Sequence, residues 1–88
     1  MQYMDETTQD IFLLVKRILR EKCKVEGQVG IDARLAEDLR LDSVGMLTLA
    51  LEIENHYRMN LGDEPDSPPR TVQEIVTLIK ARLSERKS

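Results

Sequence analysis

Apolar side chains recur along the chain at intervals of three and four, and no stretch alternates with the period of two that a half-buried strand needs. Ile11, Leu14, Val15, Ile18 and Leu19 form one stripe and predict a first helix over roughly residues 7–23, with Thr7 or Thr8 available to cap it. Gly27 and Gly30 interrupt the repeat. Ile31 to Leu41 then reads as a long loop anchored by burial of Leu35 and Leu39. Asp42 and Ser43 both favour helix starts and precede an apolar-rich segment, so a second helix is expected from Ser43 to about Arg58. The last helix has the plainest signature. Pro68 and Pro69 stop whatever precedes them, Thr71 and Glu74 form a capping box, and Val72, Ile75, Val76, Ile79 and Leu83 make a single stripe. Asn60 to Arg70, rich in Gly, Pro, Asp and Ser, has room for at most one short turn of helix. The expected fold is all-α: a small bundle of three main helices, at most one short extra helix, and a long loop after the first helix. One domain is expected over 1–88, with its core at about 7–86.

Composition narrows the function classes. The chain has 88 residues, enough for one modest core, and its 41% hydrophobic and 33% charged content suits a soluble globular protein. No apolar run approaches the roughly 18 residues of a membrane span, and the N-terminus lacks the basic-then-apolar order of a signal peptide, so a cytoplasmic protein is expected. Cys23 is the only cysteine and His56 the only histidine. An intrachain disulfide and a thiolate–imidazole zinc site are therefore excluded, and no structural metal is expected. Lys22 and Lys24 flank Cys23 and would lower its pKa, though nothing else there suggests chemistry.

Charge is uneven along the chain. Residues 1–30 balance five acids with five bases, residues 31–66 carry nine acids against three bases, and residues 67–88 two acids against five bases. An acidic middle disfavours nucleic acid and suits basic protein surfaces, or it serves only to solvate the fold. Lys16, Arg17 and Arg20 read as the solvated face of the first helix.

The second helix has two apolar faces. Leu49, Ile53, Met46, Tyr57 and Ala50 share an arc of about 100°, which is its core face. Leu47, Leu51 and Val44 lie elsewhere, in a strip beginning beside Ser43, and form either a docking surface or ground covered by a neighbouring loop. Ser43 sits where a helix offers unpaired N–H groups and its positive dipole end, so a phosphodiester on its oxygen would be stabilised there. Alone, a serine at a helix start is far more often just a cap. A hydrolytic serine is excluded, because His56 lies roughly 20 Å farther along the same helix.

The run Leu35-Ala36-Glu37-Asp38-Leu39-Arg40-Leu41-Asp42-Ser43-Val44 resembles the segment of acyl and peptidyl carrier proteins that leads into their modified serine. The resemblance continues through Leu49, Ile53, Glu54 and Tyr57 to Leu61, and through Thr71-Val72 into the last helix, without gaps from Leu35 to Leu83. It implies a carrier and not an enzyme. Ser43 would receive a covalent 4'-phosphopantetheine arm from coenzyme A, with Asp42 the adjoining acid. Val44, Leu47 and Leu51 match positions that touch partner enzymes, and Glu52 and Glu54 are the acids left on that helix. The implied partners are a phosphopantetheinyl transferase and acyl-activating, acyl-transferring or condensing enzymes, met by a monomeric carrier. A long acyl cargo would enter between the second and last helices, lined by Met46, Ala50, Ile53, Ile75 and Ile79.

Three departures bear on the pathway. Arg40 stands where the family usually has a small residue, commonly glycine; Gly45 and Thr48 replace acids frequent in fatty-acid carriers; and Pro69 replaces a buried aliphatic residue, which implies a distorted short helix. They point from housekeeping fatty-acid synthesis towards a specialised lipid, polyketide or peptide-type pathway. The competing reading is a helical adaptor that docks through Val44, Leu47 and Leu51 with no covalent arm. It leaves the Asp-Ser helix start and its lead-in unexplained.

Overall fold

The structure is a computed structural model, and it describes residues 6–61 and 69–86. Three helices make up the described chain: α1 (Glu6–Glu21), α2 (Ser43–Tyr57) and α3 (Val72–Arg86). The all-α architecture matches the expectation, and the long loop lies between α1 and α2. The proposed short extra turn falls mostly on residues 62–68, outside the described residues.

Each helix is amphipathic in the sense its sequence requires, and the three apolar faces meet in one core. α1 contributes Ile11, Val15, Ile18 and Leu19, α3 contributes Val72, Ile75, Val76 and Ile79, and α2 contributes Leu49 and Ile53, all buried. α1 packs against both other helices, more extensively against α3 than α2. No Cα of α2 comes within 8 Å of one in α3. The loop supplies the remaining core: Val29 and Leu35 are fully inside, while Leu39 and Leu41 are partly covered. Leu35 is thus the anchor expected of it, and Leu39 a weaker one.

Helix ends are set by backbone conformation as much as by composition. α1 stops two residues short of the expected 23, since Lys24 takes a left-handed φ of 60° and turns the chain. Val25 N–H then reaches back to Leu19 O at 2.9 Å, satisfying a carbonyl the helix end leaves open. Neither Thr7 nor Thr8 caps α1, because both lie inside it; Thr8 Oγ1 instead accepts from Lys80 Nζ of α3 at 3.0 Å. α2 ends at Arg58, again left-handed (φ 55°), whose N–H returns to Glu54 O. At α3 the capping box forms with a shift. Thr71 Oγ1 accepts Glu74 N–H at 3.1 Å as expected, while the Glu74 carboxylate takes Arg70 N–H at 2.6 Å.

The loop is tied to the start of α3 by an isolated antiparallel bridge between Arg34 and Thr71. Leu35 N–H donates to Arg70 O at 2.8 Å, and Val72 N–H donates to Ala33 O at 3.0 Å. Within the loop, Asp38 accepts Arg34 N–H at 2.9 Å and pairs with its guanidinium at 3.4 Å, which holds the Asp38 carboxyl below its ordinary pKa.

Candidate functional site

Two residues define how α2 begins. Asp42 is its N-cap, in extended conformation, and Asp42 Oδ1 accepts the N–H of Gly45 at 2.8 Å. Ser43 is the first helical residue and is exposed, with no partner for its hydroxyl among the described residues. Its own N–H and that of Val44 have no acceptor among the described residues either. A phosphodiester on Ser43 Oγ therefore fits: the position is open to solvent, at the positive end of a helix dipole, beside two free donors.

The chain reaches Asp42 through Arg40, whose φ is 58°. Side chains with a Cβ adopt this region at a cost, which gives a physical reason for the glycine common there in carrier proteins. Gly45 has a separate reason. A Cβ on it would stand 3.1 Å from Leu41 Cδ2 and 3.4 Å from Asp42 Oδ1, so its absence lets the loop close tightly on the first turn.

The second apolar strip is uncovered. Val44, Leu47 and Leu51 are 70%, 59% and 50% exposed, so no loop among the described residues shields them. Thr48 lies alongside and turns its hydroxyl inward to Val44 O at 2.9 Å. The two acids grouped with this strip have other engagements. Glu54 Oε2 accepts Leu61 N–H at 3.0 Å and ties down the chain after α2. Glu52 lines a small groove of about 150 Å³ between α1 and α2, together with Arg17, Lys22 and His56. Ser43, Val44, Leu47 and Leu51 are thus brought together; Glu52 and Glu54 stand at the margin.

Two larger clefts flank the start of α2. One, of about 490 Å³, is walled by Cys23, Lys24, Leu39, Arg40 and Gly45. The other, of about 330 Å³, lies among Leu35, Ala36, Met46, Pro69 and Arg70. Ser43 shares a helix face with Met46 and Leu47, three and four residues on, whereas Gly45 lies about 200° away. A group attached to Ser43 would start on the side of the 330 Å³ cleft. Between α2 and α3, Ile53, Ile75 and Ile79 are fully packed, and only Met46 and Ala50 of the expected cargo lining are partly open.

Cys23 differs from its sequence reading. Its thiol pKa is raised, first by burial and then by the Glu52 carboxylate, and not lowered by Lys22 and Lys24. The thiol points inward, with Sγ 3.6 Å from Gly45 O, while both lysines are exposed. Lys16 and Arg20 also have local engagements. Lys16 Nζ lies 4.9 Å from the Phe12 ring centre, and Arg20 donates to Gly27 O at 3.0 Å.

Among the described residues there is no group of His, Cys, Asp and Glu that could hold a metal, and no helix long and apolar enough to cross a membrane. No protein-family profile matches the chain. Individual proteins do match it along most of their length. The acyl carrier protein of Thermotoga maritima is 34% identical over 76 residues, covering 85% of this chain and 94% of that protein. That of Coprothermobacter proteolyticus is 32% identical over 76 residues, with 85% and 93% covered. That of Rhodococcus erythropolis is 31% identical over 83 residues, with 93% and 91% covered. The chain belongs to the acyl carrier protein family.

Proposed function

We propose that this protein is an acyl carrier, not a catalyst, that works through a 4'-phosphopantetheine arm on Ser43. The observation that carries the reading is the start of α2: an exposed serine hydroxyl at a helix N-terminus, capped by Asp42 through Gly45 and followed by an uncovered apolar strip. The arm supplies a thiol on which an acyl group rides as a thioester. The chain's own residues supply the rest. Asp42 fixes the first turn, the Ser43 and Val44 N–H groups face a phosphodiester, and Val44, Leu47 and Leu51 offer apolar contact to a phosphopantetheinyl transferase and to acyl-activating, acyl-transferring or condensing enzymes. Glu52 and Glu54 act at the edge of that contact. The reading includes a single domain over the whole chain, a monomer, and a cytoplasmic site of action. A specialised lipid, polyketide or peptide-type pathway is favoured by Gly45 and Thr48, which leave the first two turns of α2 after Ser43 without an acid.

The test is intact mass after incubation with coenzyme A and a promiscuous pantetheinyl transferase. Wild type is expected to gain one phosphopantetheine and Ser43→Ala none. An unmodified wild type beside a modified control carrier would favour the adaptor reading, in which the same strip docks without an arm.

A further inference from the structure

We propose that the cleft beside Met46 accepts acyl groups that end in a carboxylate, and that Arg70 selects them; the proposal rests on the carrier reading of Ser43. The cleft has about 330 Å³, apolar walls from Leu35, Ala36, Met46 and Pro69, and a charged rim of Glu37 and Arg70. It lies on the side of α2 from which an arm on Ser43 departs, since Ser43 and Met46 are three residues apart on one helix face. The larger cleft is walled by Cys23 and by Gly45, about 200° round the helix from Ser43, and reaches the helix start only through Asp42.

Access deeper into the bundle is closed. Ile53, Val72 and Ile75 are fully packed in the core, so a medium-length chain entering this cleft leaves its far end near the rim. The charge available at that rim is decided by what is already paired. The Arg34 guanidinium pairs with Asp38, so Glu37 has no ion pair among the described residues and its carboxylate opposes an acidic group on one side of the rim. Arg70 has no ion pair among the described residues, and its backbone is held on both sides. Its N–H donates to Glu74 at 2.6 Å and its carbonyl accepts Leu35 N–H at 2.8 Å. A fixed backbone launching a guanidinium with no ion pair among the described residues suits bidentate capture of a carboxylate. An uncharged chain of the same length gains only the apolar walls.

The experiment loads Ser43 from adipyl and from hexanoyl coenzyme A, two six-carbon groups that differ in the terminal carboxylate. Intact mass first establishes loading. The rate of thioester cleavage by hydroxylamine is then measured, each relative to the same acyl group on free pantetheine, and amide shifts of Ala36 and Arg70 are followed. Adipyl is expected to be protected about fivefold over hexanoyl, as an ion pair at the strong end of the exposed range gives, with shifts at both amides. Arg70→Gln should abolish the difference, Arg70→Lys retain part of it, and Glu37→Gln leave it in place or enlarge it. Equal protection of the two cargoes, or a difference that survives Arg70→Gln in a protein with unchanged circular dichroism, overturns the proposal while leaving the carrier reading intact. Failure to load Ser43 at all overturns both.

Discussion

Asp42 Oδ1 and the Gly45 N–H, 2.8 Å apart, commit the carboxylate directly before Ser43 to holding the helix, not to contacting the serine. Asp42→Ala should therefore destabilise the fold by about 1 kcal/mol, the usual cost of a lost N-cap, whereas Asp42→Asn should cost only a few tenths. Urea denaturation of the two variants checks this. If the cap is the main role of Asp42, Asp42→Asn also keeps most of the rate of Ser43 modification.

Arg40 predicts the opposite sign. Its left-handed φ of 58° costs a residue with a Cβ about 1–2 kcal/mol, and glycine gives back about half of that gain through its freer unfolded chain. Arg40→Gly should be stabilising by about 0.5–1 kcal/mol, read as a rise of a few degrees in Tm. An unchanged or lower Tm would show that the arginine side chain contributes contacts that offset its backbone.

Cys23 should alkylate slowly. Because burial raises its pKa in the folded state, the iodoacetamide rate should rise with pH along a curve displaced above that of an unfolded control. The sign for stability follows from the same shift. The contribution is present below the ordinary thiol pKa and is lost as pH rises from there through the folded value. Glu52→Gln should bring the curve down by the smaller part of the displacement, since burial is the larger cause.

Leu47 and Leu51 should matter to partners and little to folding. Both are half-exposed or more, so Leu47→Ala and Leu51→Ala should change stability by no more than about 0.5 kcal/mol. Burying such a side chain against a partner is worth about 1.5–3 kcal/mol, against about 0–1 for an exposed ion pair. Transfer to a cognate enzyme should accordingly fall further in either leucine variant than in Glu52→Gln. Rates at two salt concentrations separate the effects, because charge acts mainly on encounter. Glu54→Ala is a poor comparison: it also removes the acceptor of Leu61 N–H.

The helices and their faces were legible because a period near 3.6 survives wherever one face is buried, as at Ile11 to Leu19 and Val72 to Leu83. Leu35 could be read as an anchor and Asp42 as a cap for the same kind of local reason. Other features depend on the folded chain. Lys24 and Arg58 stop α1 and α2 in left-handed conformations without the glycine that would have advertised them. Val29 is buried with no periodic neighbour to mark it. Contacts between distant residues were invisible too: Lys80 to Thr8, Glu54 to Leu61, and the inward turn of Cys23 that reverses the effect expected from its lysine neighbours. Within the site, the uncovered strip was one of two readings, and only the exposure of Val44, Leu47 and Leu51 in the folded chain separates them.

The burial pattern also ranks the helices by how firmly each is held. α1 and α3 each insert four buried side chains and pack most extensively on one another, while α2 inserts two, Leu49 and Ile53, and keeps its backbone apart from α3. At about 1.5–3 kcal/mol for each buried aliphatic residue, α2 has roughly half the buried aliphatic anchorage of its neighbours, with Met46 and Tyr57 adding partly buried contact. Hydrogen exchange should reflect that ranking. Amides of α1 and α3 should be released only by global unfolding, and those of α2 by a less costly partial opening in which the α1–α3 pair persists. The serine-bearing helix is then a separate cooperative unit, able to shift its footing on a partner while the remainder of the fold stays closed.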